Sequence, residues 1–590
     1  MRKIHFFVLA FTAFLWTACN GLSTDYEEED NGTSQEDVVN EENIDDAKDN
    51  NAGDHDDASD YTWAASDVVA ITMEGTTVTE NSENVSVESG KIIIRAAGNY
   101  SFTGTLTNGQ IWVETEDEDI VRLILNGVNI TSVSSAPIYV KSAAKVLIAL
   151  NKGTTNVLTD GSSYSYDDAE EEEPNAAVFS KSDLTILGEG SLQVNANFND
   201  AITSKDGLII ASGNIAVDAV DDGIRGKDYL IIKTGTFSIE AGGDGLKSDN
   251  DSDEEKGYIE IVSGTFSISA KGDAVSAETD LMLTYAEMEL VTTGSVSSYS
   301  ITSSKGLKAG VNIIIDDGIY SLTCTDDAIH SNETIVINGG DLEISSGDDG
   351  IHADYDLEIN DGNINITKSY EGIESYEGDI ILNGGTIRVK SSDDGINVSA
   401  GGDSMGGGGP GGWGGAVSSS GSYYLYLKGA FLYVNASGDG IDSNGSIEMT
   451  GGTVLVDGPT NNGNGALDYN GSFQITGGTI IAAGSSGMAQ APASSSSQYS
   501  ILVKFNSTMS AGTLFHVQTS DGSEIITYKP SKAYQSVAFS SPDLKKGSGY
   551  QIYTGGSSSG QVSDGLYNGG TYSGGNLYTS FNITAIVTNM

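Results

Sequence analysis

The sequence predicts an all-β chain: a right-handed parallel β-helix of about 22 residues per coil, closed at its carboxyl end by a small β-rich cap. Three observations carry this. A short acidic turn recurs at fixed pitch, apolar residues alternate instead of following helical spacing, and glycine is abundant (75 of 590) while proline is scarce (7). A period near 22 residues means one structural unit stacked on copies of itself.

The turn appears as Asp200-Ala201-Ile202, Asp221-Asp222-Gly223-Ile224, Gly243-Asp244-Gly245-Leu246 and Asp273-Ala274-Val275. It continues as Asp326-Asp327-Ala328-Ile329, Asp348-Asp349-Gly350-Ile351, Glu371-Gly372-Ile373, Asp393-Asp394-Gly395-Ile396 and Asp439-Gly440-Ile441. Lys305-Gly306-Leu307 and Gly465-Ala466-Leu467 fill the same slot without the acid. Between turns, segments such as Ile380-Ile381-Leu382-Asn383-Gly384-Gly385-Thr386-Ile387-Arg388-Val389 alternate apolar and polar residues, the strand period of two. Three short strands per coil follow, with an apolar column that only stacking can bury. A β-sandwich would also have short strands, but it gives no reason for the turn to return at one pitch.

The remaining elements fall in order along the chain. Residues 1–18 are expected to be a signal peptide: Arg2-Lys3, an apolar run from Ile4 to Trp16, then Thr17-Ala18 before Cys19. The run is too short to span a bilayer, and the placement of Cys19 resembles a bacterial lipoprotein box, which implies lipidation there and a membrane attachment through lipid alone. Residues 19–58, rich in Asp and Glu, are expected to be a disordered tether, because so polar a segment cannot offset the entropy of ordering. The helix is assigned residues 59–485, with Ala136-Pro137-Ile138-Tyr139 and Ala176-Ala177-Val178-Phe179 as degenerate early turns and Tyr61 to Ser89 covering the open end. Residues 486–590 are assigned to the cap, since solenoid ends expose unpaired strand edges. Cys324, in an alternating strand, is expected to be a buried hydrophobe.

Acidic residues outnumber Lys and Arg by 83 to 28, a formal net charge of −55, and no nucleic-acid partner is expected. In stacked coils equivalent side chains lie roughly 4.8 Å apart. Unit charges at that spacing repel by about 3 kcal/mol at an effective dielectric near 20. With so few basic residues, the predicted neutraliser is calcium, which takes six to eight oxygen ligands. The predicted metal ligands are Asp222, Asp244, Asp249, Asp251, Asp273, Asp327, Asp349, Glu371 and Asp394. The insertion Asp249-Asn250-Asp251-Ser252-Asp253-Glu254-Glu255 resembles half of a calcium loop. The plainer reading of any one Asp is a turn former. Magnesium demands a tighter cage, and no Cys or His grouping suits zinc.

The Asp-Gly-Ile/Leu signature, Gly243 to Asp249, Gly272 to Thr279 and the tail Gly487-Met488-Ala489-Gln490-Ala491-Pro492 resemble one family. It is the bacterial calcium-containing, pectate-lyase-like parallel β-helix proteins with carbohydrate-binding domains, and the likeness spans roughly residues 64 to 560. The resemblance implies display outside the cell, at the outer membrane or cell surface, bound calcium, and binding of plant cell-wall polysaccharide including acidic polygalacturonan, without established catalysis. Tyr370, Tyr376 and Trp413 are candidate sugar platforms, with Arg225 beside the acidic turns as a further contact. A monomeric, non-catalytic binding protein is the expectation. Two alternatives stand: a lyase using Arg225, Lys247, Lys305 or Lys308, and a structural or adhesive surface protein.

Overall fold

A computed structural model describes residues 43–80, 82–166, 172–295, 303–399 and 423–590. The expected signal peptide, Cys19, and Trp413 with its glycine-rich loop lie outside the described residues. The fold is a parallel β-helix with three walls of stacked strands. One wall follows the acidic turns and forms a 16-stranded sheet; the other two meet in a 33-stranded sheet. A single coil runs Ile351–Ala353, Leu357–Ile359 and Asn363–Ser369, then passes through the next turn to Ile373–Ser375.

Register explains the period. Ile329 pairs with Ile351, Ile351 with Ile373, and Ile373 with Ile396, so each turn's apolar residue stacks on the last. These side chains join one continuous core with Ile364, Ile387, Leu432 and their equivalents, all essentially fully buried. Phe237 and Phe266 stack in that column with ring centroids 4.6 Å apart. The degenerate turns behave as coils too, since Phe179 pairs with Tyr139 and Thr203 in the turn wall. Cys324 lies in the core, where burial pushes its thiol up to about 12.

The amino-terminal end is covered by Val68–Gly75, which pairs parallel with Gly98–Leu106, and by the hairpin of Val85–Glu88 with Lys91–Ile94. At the other end Thr479–Gly484 pairs antiparallel with Tyr534–Ser540, which in turn pairs with Ser500–Met509. The cap does more than close the column. Its core of Phe505, Phe515, Tyr528 and Phe539 includes Leu455 and Ile481 from the outer face of the last coils. A bidentate pair of Arg388 with Asp564 fastens it further along that face.

Residues 43–58 do not continue the expected tether. Ile44–Asn50 is a helix capped by Asn43, and Ile44 and Ala47 are buried against Ile209, Tyr229, Ile231, Tyr258, Met282 and Ile314. The His55 ring bonds Tyr229 and Thr185 at 2.7 and 2.9 Å, and Asp56 pairs with Lys233. The physical reason lies in the wall beneath. Runs such as Leu208-Ile209-Ile210 and Leu230-Ile231-Ile232 are apolar on both faces, and a strand of that kind needs cover on both sides.

Candidate functional site

The acidic turn is built by side chain to backbone bonds between coils. The Asp222 carboxylate accepts from the Asp244 N–H at 2.9 Å, and that of Asp244 from the Asp273 N–H at 2.8 Å. Asp273 accepts from the Lys305 N–H at 2.8 Å, Asp327 from Asp349 at 2.9 Å, and Asp349 from Glu371 at 3.0 Å. Asp394 and Asp439 repeat the bond at Asp439 and Gly465, each 2.5 Å. Each Oδ1 thus satisfies an N–H that would otherwise be orphaned at the turn, leaving Oδ2 to face outward.

Outside those turns stands a second column. The residue after the core-facing Ile, Leu or Val of each turn-wall strand points away from that core, and register aligns Phe179, Thr203, Arg225, Lys247, Ser276, Lys308, His330, His352, Glu374, Asn397, Asp442 and Asp468. The column begins aromatic, turns cationic, passes through two histidines and ends acidic.

That cationic stretch corrects the expectation that Lys and Arg could not neutralise the turns. Lys247 Nζ lies 3.1 Å from Asp222 and 2.8 Å from Asp244. Arg225 pairs with Asp249 at 2.6 Å and reaches Asp200 at 3.8 Å. Lys308 lies 3.3 Å from Asp273; Lys305 pairs with Asp327 and lies 3.3 Å from Asp326. Few basic residues suffice because the fold places Arg225, Lys247 and Lys308 in one column beside the acids and Lys305 in the turn slot itself. Replacing Lys247 by Met keeps the stem and strands two mostly buried carboxylates. The expected loss is about 3 kcal/mol in urea unfolding at neutral pH, and adding Asp222→Asn should recover much of it. An unchanged midpoint for Lys247→Met would show that the pair contributes nothing.

Beyond His352 the neutralisation stops. Among the described residues no Lys or Arg pairs with Glu371, Asp393, Asp394 or Asp439. Burial, reinforced by neighbouring carboxylates, raises Glu371 to about 9, Asp394 to about 7 and Asp439 to about 6. Asn397 donates to Glu371 at 2.8 Å and Glu374 at 3.0 Å, while its own Oδ1 is buried without a partner.

The predicted metal ligands therefore separate. Asp222, Asp244, Asp249, Asp273 and Asp327 each contact a Lys or Arg of the chain, and Asp251 is exposed in its insertion. Asp349 faces His352, whereas Glu371 and Asp394 face other acids. Two clusters among the described residues bring three ligand atoms within 4.8 Å of one another: Asp326, Asp327 and Asp348, and Asp349, His352 and Glu374. Lys305 sits in the first. The second is a His-containing grouping of the kind the sequence reading excluded. Its signal was present, because His330, His352 and Glu374 follow one another at 22-residue steps.

The predicted sugar contacts divide likewise. Tyr370 is 46% exposed beside the Glu371 turn, with its hydroxyl against Asp393, and Tyr376 is half-buried just after the strand Ile373–Ser375. Arg225 is committed to Asp249 and Asp200. The sequence reading passed over Tyr424 and Tyr426, stacked at 5.3 Å on another wall, and Tyr285, 41% exposed.

Residues 88–350 match the family described as "Carbohydrate-binding domain-containing protein". A curated protein of that description from Acetivibrio thermocellus is 46% identical over 140 residues, 24% of this chain and 49% of that protein. The chain thus spans about half the length of that relative. A solved structure, "Structure of the polysaccharide lyase-like protein from C. thermocellum, Gadolinium derivative", shares 40% identity over 38% of this chain and 92% of that one, with a TM-score of 0.38.

Proposed function

We propose that this protein binds polysaccharide outside the cell without cleaving it, held to the membrane by lipid at Cys19, and that calcium assists its binding of acidic polygalacturonan. The observation that carries the polysaccharide reading is the match of residues 88–350 to a carbohydrate-binding domain family. A wall of stacked coils supports it: a regular outward column suits a polymer whose own units repeat.

The residues that fit calcium are narrower than the sequence implied. Where Lys or Arg already fills the outward side of the turn, a second cation has no place. Glu371 and Asp394, with Asp393 and Asp439 nearby, have carboxylates raised by burial and by one another, and the orphaned Asn397 Oδ1 lies in the same turn region. Those oxygens would hold the ion, which would supply the positive charge an acidic protein needs to attract a uronate. Tyr370, exposed beside them, offers a ring for a sugar's apolar face.

The non-catalytic reading has its own support. A lyase needs a base that is neutral at working pH. Lys247 and Lys305 are held protonated by their Asp partners, which push both up despite burial. Arg225 is likewise raised, with Asp249 and Asp200 outweighing its burial.

Affinity electrophoresis in low-ester pectin, high-ester pectin and a neutral glucan tests the reading. Retardation in low-ester pectin should appear with millimolar calcium, vanish with chelator, and weaken in high-ester pectin and in Glu371→Gln/Asp394→Asn. The neutral glucan should respond to neither change. Equal retention in low-ester pectin with and without calcium would sink the calcium step. Steady growth of the ultraviolet absorbance of an unsaturated uronate would establish a lyase.

A further inference from the structure

The histidine step in the outward column carries chemistry that polysaccharide binding does not use. His352 Nδ1 lies 3.1 Å from Asp349 Oδ2 and 2.9 Å from Glu374 Oε2, and all three atoms fall within 4.8 Å of one another. Around a tetrahedral zinc ion with bonds of about 2.0–2.2 Å, ligand atoms sit roughly 3.3 Å apart. We infer that Asp349, His352 and Glu374 form a binding site for one zinc-class divalent transition-metal ion.

The surroundings are those of a built site. Each ligand group is anchored through its other polar atom. Asp349 Oδ1 accepts the Glu371 N–H at 3.0 Å, Glu374 Oε1 accepts from Asn397 at 3.0 Å, and His352 Nε2 faces Asp354 Oδ1 at 3.2 Å. A carboxylate on the far nitrogen fixes the tautomer that leaves Nδ1 free for a metal. The His330 ring, stacked on His352 with centroids 4.8 Å apart, holds the imidazole plane.

The donor set selects the ion. One nitrogen and two carboxylate oxygens suit zinc and its neighbours, whereas calcium takes six to eight oxygens. Three protein ligands leave a fourth position, and the three side chains are each 10–15% exposed, so water or a ligand oxygen can reach it. The inference does not depend on the polysaccharide reading, because it needs only these residues.

The test is equilibrium dialysis of the full chain against zinc chloride after stripping with chelator, alongside visible absorption with cobalt chloride. One zinc per chain is expected, undisplaced by millimolar calcium, with cobalt giving the intense bands of a low-coordinate site. His352→Gln should weaken binding at least 100-fold, and Asp354→Asn, which leaves all three ligands in place, by about 10–100-fold. Absence of stoichiometric zinc, or equal affinity in His352→Gln, overturns the site. Should His352→Gln fail to fold, Asp354→Asn decides, and an affinity equal to wild type there overturns it.

Discussion

Gly245→Ala is expected to destabilise the helix by about 1–3 kcal/mol, and Gly245→Val by on the order of 3 kcal/mol or more, even with calcium present. Sequence alone suggests that glycine serves the turn through backbone freedom, yet Gly245 is not among the residues with positive φ. Its requirement is space. A Cβ there would lie 2.5 Å from the Ala274 carbonyl oxygen and 2.5 Å from Ile268 Cγ2, both belonging to the next coil. Gly223 and Gly350 face the same crowding, with the next coil's carbonyl 2.6 and 2.5 Å from an added Cβ. One coil on, the slot holds Ala274, which is fully buried in the core. Ala274→Gly should therefore cost only about 1 kcal/mol. Denaturant unfolding of the three variants separates the explanations. Were backbone freedom the reason, Ala274 would be strained in the same slot and Ala274→Gly would stabilise the fold; a loss confined to Gly245→Val would point to bulk at the core face instead.

The contrast shows what the repeat made legible. Pitch, strand period and turn position follow from residues equivalent under a 22-residue shift, so the walls, the core columns and the cap could be read from the chain. The docked segment 43–58 could not, because its attachment rests on Ile44, Ala47 and His55 amid acidic residues. The cue lay far away in the doubly apolar strands around Ile209 and Ile231. Local composition reports only what a segment is made of, not which uncovered surface awaits it.

The site divides in the same way. The acidic turns were plain, and so was the mutual repulsion of stacked carboxylates. Counting basic residues over the whole chain hid their placement, since what matters is that Arg225, Lys247 and Lys308 share one register with the acids. The histidines were hidden by looking for ligands close in sequence, when the fold makes positions 22 apart into neighbours. The same 22-residue pitch that stacks the inward residues sets Lys308, His330, His352 and Glu374 in one outward column.

In chelator, the folded domain is expected to be several kcal/mol more stable near pH 5 than near pH 8, the reverse of ordinary acid unfolding. Asp200, 1% exposed, is raised to about 7 by burial first and by the Asp222 charge second, against the opposing pull of Thr203 and Arg225. Asp379 is raised to about 6 by burial, with Asp356 adding to it. An acid raised in the folded state binds more protons there than in the unfolded chain between about pH 4 and its folded value. Stability therefore falls as pH climbs through that window and levels off above it. A carboxyl displaced as far as Asp200 contributes on the order of 4 kcal/mol across the window. Asp56, Asp183 and Glu173 are lowered by their basic partners, although burial opposes, and their stabilisation is lost only as pH falls below the ordinary carboxylate range. The two sets act in separate windows, which puts the maximum near pH 5. Urea midpoints measured from pH 4 to 8 in chelator check this, and Asp200→Asn should flatten the alkaline side. Midpoints that rise steadily from pH 5 to 8 would show that the buried carboxyls are neutralised by something other than protons.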